Sequence, residues 1–401
     1  MASLDKKLSI GDENYSAMVV KVGKLFPLKD LDKLMGTYVL GNQVIIKNDV
    51  KENDVKIYFP VECSLSTEYM KFNNLHKDRE LNILNISGYF ENHGRVRCIK
   101  FHGNKSEGLL MPLSSLDYID PNIKNTLNVG DVFDRIDNHE ICHKTQPVSS
   151  LKMYENNKNN LNLLEGQFKY HIDTPLFYRY LDNIKENDLI SITRKMHGTS
   201  CISAKLLHVR KLKWYNKICK LFCGFKSPKK LYYSEVCSSR RTIRDIEGNS
   251  IWAIAHRKIR NIIKDGYTFY YEIVGYMPDD SGKLIQKAYD YSCQPKTFEI
   301  YVYRITYTNS QGHTIELPFK HVQEYCTIYG LKSVPELFYG RAIELIDKDS
   351  NFSDFFTNLK RIFLDNVKDT LCKNDVPIEG IVIRKESFKF EAYKIKSSEF
   401  M

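Results

Sequence analysis

The chain has 401 residues, of which 42% are hydrophobic and 12% aromatic; this excludes a disordered protein and is enough for two domains that each bury a core. The N-terminal stretch lacks a signal peptide's apolar segment and no transmembrane-length apolar run occurs, so we predict a soluble intracellular protein of the cytoplasm or nucleus, with no membrane partner. The net charge is +10, and ten cysteines without a CxxC pair exclude the usual zinc-binding spacings and predict reduced thiols.

The first part of the chain consists of short alternating stretches separated by turn residues. Examples are YSAMVVKV, DVKIYFPV and RVRCIKF, with glycines at the bends, and a short helix is predicted around Thr67 to His76. Five or more short strands with little helix are typical of a small barrel or sandwich. We therefore predict an OB-like β-barrel domain over residues 1–153.

A polar, asparagine-rich run, YENNKNNLNLLEGQ, follows at residues 154–167 and has the composition of a linker. Beyond it, HIDTPLFYRYLDNI predicts a helix, with Asp173 or Thr174 at the N-cap and Pro175 in the first turn. Strands and helices then mix to the end of the chain. This pattern predicts an α+β domain built on antiparallel sheets over residues 168–401.

The positive charge is concentrated in one block. Between Asp188 and Glu235 there are eleven Lys and Arg and no acidic residue, while the remainder has 48 basic and 49 acidic residues. Clustered cations are what neutralisation of phosphates requires, so the block indicates a polyanionic partner. Its centre is a predicted basic insertion at about 206–233, which includes RKLKWYNKICKLFCGFKSPKK with apolar residues at helical spacing. RNA contact, a solvated helix packed on its own domain and a weak membrane-surface helix all remain compatible with it.

A lysine stands where an apolar strand meets a glycine turn in ISITRKMHGTSCISAKL. Lys195 shares a strand face with Ser191 and Thr193, and the alternation resumes after Gly198. On this stretch alone, a surface lysine beside a hairpin explains the pattern equally well.

Four later strands carry polar residues that complete a possible site. FYYEIVGY places Glu272 in an aromatic run, and FEIYVYRI puts Tyr301 and Tyr303 on one face. PIEGIVIRKE sets Glu379 before an apolar strand, and FKFEAYKIKSSEF spaces Lys394 and Lys396 so that both share a face. Each feature alone is weak, because such residues usually face water.

Together these residues are suited to phosphoryl chemistry by a lysine nucleophile. An unperturbed lysine has a pKa of about 10.4, so neighbouring cations and partial desolvation are needed to expose the free amine. Two carboxylates can hold Mg²⁺ or Mn²⁺, and lysines over phosphates offset charge that develops in the transition state. An aromatic face can stack on a purine, and a glycine beside the nucleophile lets backbone approach a nucleotide.

Six elements occur in one order over roughly residues 165 to 401: KMHG (195–198), SSRR (238–241), YYEIVG (270–275), YVYRI (301–305), EGIVIR (379–384) and YKIK (393–396). In content and order they resemble motifs I, Ia, III, IIIa, IV and V of the covalent nucleotidyltransferase superfamily of ATP-dependent ligases and capping enzymes. The KxHG form of the first motif resembles that of RNA ligase 2-like enzymes. The resemblance implies that residues 168–401 form an adenylyltransferase domain.

The resemblance also implies roles for individual residues. Lys195 would form lysyl-AMP, with His197 and Gly198 in the nucleotide-binding turn. Arg240, or with less support Arg241, would contact ribose or substrate phosphate, Glu272 would bind ribose or metal, and Tyr303 would stack on adenine. Glu379 would bind the metal, and Lys394 and Lys396 would contact the α-phosphate and assist its transfer. ATP and Mg²⁺ or Mn²⁺ are the implied cofactors. Whether His171, in the family-like HIDT stretch, touches substrate stays open; as a lone histidine it is interpreted as structural.

The implied activity is ATP-dependent ligation of RNA 3′-OH and 5′-phosphate ends through lysyl-AMP and RNA-adenylate intermediates. The RNA would be a nicked duplex or broken ends, met in repair or nick sealing, and a monomer is the default expectation. His197 in place of the general motif's aspartate favours an RNA ligase. Five residues follow Lys396, so we expect no C-terminal OB domain, which agrees with RNA ligases whose OB domain comes first.

Three alternatives stay open. A capping guanylyltransferase would use the same lysine with GTP, and a DNA ligase would join DNA 3′-OH ends. A non-catalytic nucleic-acid binding protein would keep the basic block and the barrel but tolerate loss of Lys195.

Overall fold

The computed structural model describes residues 7–145, 162–210, 231–240, 242–346, 351–387 and 389–401. These residues fall into two compact units, both built mainly from antiparallel strands with few helices. Unit 1 comprises the described residues of Met1–Tyr154, Tyr178–Leu181 and Ser398–Met401, and unit 2 those of Glu155–Phe177 and Asp182–Ser397. Within these ranges no helix is long and apolar enough to cross a membrane.

Unit 1 contains fourteen short strands. They are β1 (Leu8–Ser9), β2 (Ala17–Lys21), β3 (Leu25–Leu28), β4 (Leu31–Val39), β5 (Asn42–Lys47), β6 (Val55–Phe59), β7 (Cys63–Leu65), β8 (Ile99–Phe101), β9 (Asn104–Ser106), β10 (Leu109–Pro112), β11 (Val132–Phe133), β12 (Arg135–Ile136), β13 (His139–Glu140) and β14 (Cys142–Lys144). Helix α1 (Thr67–Phe72) confirms the short helix expected there, and Ser66 caps it by accepting a hydrogen bond from the Tyr69 backbone N–H.

The strands of unit 1 form separate small sheets. The largest has the order β10-β6-β2-β11, and two three-stranded sheets have the orders β1-β12-β13 and β3-β4-β5. The alternating apolar residues of β2 and β6 pack with α1 into one core that includes Val19, Ile57, Phe59 and Met70. Within residues 7–145 no sheet closes on itself, so a closed barrel is not observed.

Unit 2 contains the longer strands and three α-helices. The strands are β15 (Leu189–Lys195), β16 (Thr199–Val209), β17 (Leu231–Ser239), β18 (Ile243–Arg244), β19 (Tyr267–Gly275), β20 (Phe298–Thr308), β21 (Thr314–Glu316), β22 (Lys332–Ser333), β23 (Glu336–Arg341), β24 (Gly380–Lys385) and β25 (Glu391–Lys396). The helices are α2 (Ile251–Ile259), α3 (Phe319–Ile328) and α4 (Phe355–Phe363). In the two units taken together, short 3₁₀ turns occur at Glu13–Tyr15, Arg79–Leu81, Leu113–Leu116, Ile123–Asn125, Phe177–Arg179, Leu181–Asn183, Arg260–Ile262, Ala342–Leu345 and Phe352–Asp354.

Two sheets organise unit 2. The large sheet has the order β18-β17-β16-β19-β20-β21, with β22 also paired to β20, and the small sheet has the order β23-β15-β24-β25. The central strand β19 buries residues on both faces. Helix α2 is tied to the large sheet through His256, whose Nδ1 lies 2.9 Å from Ser203 Oγ and whose Nε2 lies 3.1 Å from Glu235 Oε2.

The helix predicted at the start of this domain is wrong. Leu176 instead bridges Lys394 of β25, the Lys394 backbone N–H donates to the Pro175 carbonyl at 2.8 Å, and two 3₁₀ turns follow. Asp173 forms an ion pair with Arg240 instead of capping a helix. Pairing with a sheet edge satisfies the same backbone groups that a helix would have satisfied, so local capping signals lose to tertiary contacts.

The flanks of the predicted basic insertion are strands. Residues 206–209 complete β16 and 231–233 begin β17, and β17 pairs with residues 201–209 of β16. Residues 211–230, and 154–161 of the predicted linker, lie outside the described residues. The rest of that linker is packed: Leu163 bridges His208, and the Gln167 side chain donates to the Asn309 carbonyl at 2.8 Å.

Candidate active site

Lys195 is the last residue of β15, at the end of a cross-strand row in the small sheet. It pairs with Gly380 of β24, which in turn pairs with Lys396 of β25. The next row of the same face joins Thr193, Val382 and Lys394. Side chains directly opposite each other in antiparallel strands lie on one face. The register therefore brings Lys195, Lys394 and Lys396 to one face of the sheet.

Lys195 contacts a buried carboxylate. Its Nζ lies 2.6 Å from Glu379 Oε1, where the lysine side chain is 28% exposed and the glutamate 7%. Burial alone would raise the pKa of Glu379, but the ammonium of Lys195 and the imidazole of His197 outweigh it and lower this pKa to about 2. Glu379 is therefore a carboxylate at any physiological pH, and a weak base.

Glu272, in strand β19, is the second carboxyl of the site, and its pKa is shifted in the opposite direction to that of Glu379. Burial raises its pKa to about 8, with a further contribution from the negative charge of Glu379, although Lys195, Arg240 and the Gly198 backbone N–H oppose the rise. Two neighbouring carboxyls in a low-dielectric site do not both ionise readily. At neutral pH, Glu379 carries the negative charge and Glu272 holds a proton.

Gly198 and Gly380 are required by close approaches of neighbouring strands. A Cβ on Gly198 would stand 2.2 Å from the Ile273 carbonyl oxygen, and one on Gly380 would stand 2.2 Å from the Ile395 carbonyl oxygen. Both contacts are with backbone, which cannot rotate away. In this structure the space beside Gly198 is thus used by β19, next to Glu272.

His197 is held from three sides. Its Nδ1 lies 3.6 Å from Glu379 Oε2, longer than a hydrogen bond. Its backbone N–H donates to the Tyr291 hydroxyl at 2.7 Å, and its ring meets Tyr289 edge-on with centroids 4.9 Å apart. The imidazole is thereby oriented beside the Lys195–Glu379 pair.

Arg240 follows the end of β17 and forms an ion pair with Asp173. Its side chain is 47% exposed, yet its charge acts on the half-buried carboxyl of Glu272, which places the guanidinium near the site. Arg241, the alternative for the same role, lies outside the described residues.

Tyr303 is the extra residue of a bulge in β20. Tyr270 pairs with Arg304 and Tyr271 pairs with Val302, so Tyr303 has no opposite partner in β19. Ser200 and Tyr301 both pair with Glu272 and so lie on one face of the sheet, and the Tyr303 side chain reaches that same face, although its contacts differ from those of Tyr301. The Tyr301 ring lies under Lys332, whereas the Tyr303 hydroxyl is bonded to Ser200.

A hydrogen-bond chain connects Tyr303 to two neighbours. Its hydroxyl lies 3.0 Å from Ser200 Oγ and 3.1 Å from His171 Nδ1. Burial, followed by four cations of the site, lowers the pKa of His171 to about 3, so the imidazole is neutral. The four cations are Arg240, Arg304, Lys195 and Lys394. The structure thus brings His171, interpreted from the sequence as a structural residue, into the site.

Glu379 is the residue of the site that could hold a divalent cation, whose remaining ligands would be substrate oxygens and water. Within the described ranges no group of three or more His, Cys, Asp or Glu side chains could enclose a metal ion. Mg²⁺ is commonly held by one or two carboxylates together with substrate phosphates and water. Glu379 Oε2 is buried and has no hydrogen bond, which leaves one carboxylate oxygen available for such an ion.

Two residues of the site were missed by the sequence analysis. Gln286 and Tyr291 lie in the segment between β19 and β20, and each bonds the backbone of the turn that follows Lys195. The available signal was the stretch AYDYSC, where two tyrosines flank an aspartate that the structure buries.

The fold of the whole chain is similar to that of a known ligase. Three structures of the Naegleria gruberi RNA ligase match it: a lysine-to-alanine variant with ATP and Mn (15% identity, TM-score 0.58), a glutamate-to-alanine variant with ATP and Mn (16%, 0.59) and the enzyme with PPi (15%, 0.57). The first two matches cover 95% of this chain and 96% of the other, and the third covers 96% and 97%. At this identity the likeness shows the fold alone. No curated protein sequence matches the chain.

The chain thus has a ligase-like fold with a lysine-centred candidate site. The sequence model of the RNA ligase family matches residues 188–396, just over half of the chain, and spans every strand that carries the site. The chain belongs to the RNA ligase family.

Proposed function

We propose that this family member is an ATP-dependent RNA ligase that joins 3′-OH and 5′-phosphate ends through lysyl-AMP and RNA-adenylate intermediates. The observation that carries the proposal is the single face on which Lys195 stands with Lys394 and Lys396, against the carboxylate of Glu379. A nucleophilic amine, cations for a phosphate and a carboxylate for a metal are the groups that nucleotidyl transfer needs.

In the first step, Lys195 Nζ would lose its proton to solvent and, as the free amine, attack the α-phosphorus of ATP, forming an N–P bond and breaking the bond to pyrophosphate. AMP would then pass to the 5′-phosphate of an RNA strand. Attack by a 3′-OH would finally seal the strand and release AMP. Because its pKa is about 2, Glu379 would orient Lys195 and would not remove its proton.

Lys394 and Lys396 would contact the α-phosphate from the strand next to β24. Their charge is fixed in place before the reaction, so it would stabilise the transition state without reorganisation. Nothing in this role requires either lysine to change its protonation state.

The metal, Mg²⁺ or Mn²⁺, would be held by Glu379 and Glu272, and it would supply charge neutralisation at the phosphates. The Naegleria ligase variants were solved with ATP and Mn, which supports the same pair of cofactors here. Binding there would require Glu272 to lose its proton.

The nucleotide would be bound by the remaining site residues. Tyr303 would stack on adenine, Arg240 would contact ribose or a substrate phosphate, and the turn at His197 and Gly198 would lie against the nucleotide. The KxHG form of that turn supports kinship with RNA ligase 2-like enzymes.

RNA would be recognised chiefly through its backbone. We propose that unit 1 is a variant of the OB fold that helps to hold the RNA, and that the basic block between Asp188 and Glu235 tracks phosphates. A nicked duplex or broken ends would be the substrate, in repair or nick sealing. Binding by this mechanism weakens steeply as salt rises.

The proposal is tested by incubation with α-labelled ATP and Mg²⁺, followed by a denaturing gel. The wild type should become labelled, and Lys195→Ala should not. Lys205→Ala is the matched control, because Lys205 also forms a carboxylate pair from a strand, with Asp265 at 2.8 Å, but on the large sheet. The control should label normally.

Competing functions are separated by the nucleotide and the substrate. Labelling by GTP in place of ATP would indicate a capping guanylyltransferase, and equal sealing of nicks with DNA 3′-OH ends would indicate a DNA ligase. Absence of label from either nucleotide, in folded protein, would refute the catalytic proposal.

A further inference from the structure

One segment of the chain forms hydrogen bonds with two successive residues of the turn after Lys195. The Tyr291 hydroxyl accepts a hydrogen bond from the His197 backbone N–H at 2.7 Å. The Gln286 side-chain amide donates to the Gly198 carbonyl at 2.7 Å. Both partners come from residues 286–291, which we call the grip segment. It satisfies one donor and one acceptor of the turn that ends the nucleophile's strand.

The grip segment and the residues after it have an unusual backbone. Ala288, Tyr291, Ser292 and Lys296 all have positive φ, between 47° and 71°. A residue other than glycine is strained in this conformation, which persists only where surrounding contacts hold it. Tyr291 is therefore not in its position by local preference.

The contacts that hold it come from residues 369–377, the segment that leads into β24. The Asp290 carboxylate accepts from the Lys373 backbone N–H at 2.9 Å, and the Asn374 amide donates to the Ala288 carbonyl at 2.7 Å. The Tyr289 hydroxyl donates to the Pro377 carbonyl at 2.7 Å. The grip segment is thus tied to the chain just before Glu379.

The same supporting segment also holds the residue on the other side of the nucleophile. Arg194 forms an ion pair with Asp369 at 3.0 Å, with side chains only 10% and 1% exposed. Lys195 therefore lies between two anchored neighbours. On one side, the Arg194 side chain is bound by Asp369 of the 369–377 segment. On the other side, beyond Met196, the backbone of His197 and Gly198 is bound by the grip segment.

We propose that Tyr291 and Gln286 are positioning residues, which fix the turn so that the Lys195 side chain is held at the angle needed to reach the α-phosphate. Neither touches the reacting atoms. The proposal rests on the proposed function, because it concerns the attack by Lys195. A misplacement of about 1 Å is enough to slow an attack of this kind, so a hydroxyl that does not touch the reacting atoms can still affect the rate.

The test measures single-turnover adenylylation with α-labelled ATP for the wild type, Tyr291→Phe and Gln286→Leu. Tyr325→Phe is the matched control, because its hydroxyl also makes one bond to backbone, the Ile262 carbonyl at 3.0 Å, away from the turn. The labelled amplitude reports the fraction of folded, competent protein, while the rate constant at saturating ATP reports the attack.

We expect Tyr291→Phe and Gln286→Leu each to lower the rate constant by about 3- to 10-fold, the effect of one lost hydrogen bond felt in the transition state. The half-saturating ATP concentration and the labelled amplitude should match the wild type and Tyr325→Phe. Wild-type rate constants in both variants would overturn the proposal. A fall in amplitude with an unchanged rate constant would overturn it too, because it would indicate a purely structural role. An unlabelled wild type would instead refute the proposed function.

Discussion

Lys195 Nζ lies 2.6 Å from Glu379 Oε1. The two residues meet because Lys195 is opposite Gly380 in the sheet and Glu379 immediately precedes Gly380. This contact holds the proposed nucleophile against a carboxylate in the structure without nucleotide. For the attack to occur, the amine must leave Glu379. A metal ion or the phosphates themselves would favour that exchange by competing for the two partners.

Replacement of the Glu379 carboxylate tests the contribution of this contact to both adenylylation and stability. Glu379→Gln should abolish labelling by ATP and lower the free energy of unfolding at pH 7 by about 2–4 kcal/mol, because a largely buried ion pair loses one partner. A gel assay and urea unfolding measure the two effects. Glu299→Gln, which removes a carboxylate of the exposed Lys332 pair, should change neither by a comparable amount.

The loss of unfolding free energy at acidic pH should be smaller in Glu379→Gln than in the wild type. The pKa of Glu379 is about 2 in the folded state against about 4.5 ordinarily, so its contribution is complete above pH 4.5 and is lost as pH falls toward 2. Urea unfolding at pH 3, 4 and 6 should show a shallower decline for Glu379→Gln than for the wild type. Parallel declines would contradict this assignment of charge.

Glu272 should have the opposite pH dependence. Its pKa is about 8 in the folded state against about 4.5 ordinarily, so the folded state holds a proton that the unfolded state releases. Its stabilising contribution is therefore present below pH 4.5 and is lost as pH rises toward 8. Compared with Glu272→Gln, the wild type should lose stability between pH 5 and pH 8 in urea unfolding. A difference that stays constant across this range would show that Glu272 ionises normally.

Alanine at either close-packed glycine should destabilise the protein. For Gly198→Ala and Gly380→Ala, the new methyl would meet a backbone carbonyl at 2.2 Å, and overpacking of this kind costs about 1–3 kcal/mol. Gly248→Ala is the control, because its nearest contact would be 3.3 Å and its φ is not positive. Thermal unfolding should rank the control within about 0.5 kcal/mol of the wild type.

A buried ion cluster between β20, β21 and β24 should carry more stability than surface pairs. Arg304 makes two hydrogen bonds of 2.8 Å to Glu316 and one of 3.0 Å, and Arg384 lies 3.7 Å from the same carboxylate, all at 5–6% exposure. Glu316→Gln should cost about 3–5 kcal/mol, since it leaves buried guanidinium charge uncompensated. Asp375→Asn, in an exposed pair with Lys368, should cost less than about 1 kcal/mol in the same urea titration.

Local patterns predicted several elements well. The strand ending at Lys195, its continuation after Gly198 and the short helix at Thr67 appear as β15, β16 and α1, because alternation and capping act over a few residues. The helix predicted at Asp173 failed since Pro175 and Lys394 pair across the fold. The bulge that leaves Tyr303 without a cross-strand partner is not revealed by alternation alone.

The sequence by itself determined the chemistry that is available: one lysine at a strand end, two carboxylates, two further lysines at alternate positions, and the family to which they belong. Tertiary structure decided how they meet. The β15-β24-β25 register put the three lysines on one face, and the contacts of Glu379 with Lys195 and His197, set against the burial of Glu272, gave the two carboxyls opposite protonation states. The anchoring of Lys195 by Tyr291 and Asp369 also belongs to the fold, because hydrogen bonds and charge effects depend on distances between residues far apart in sequence.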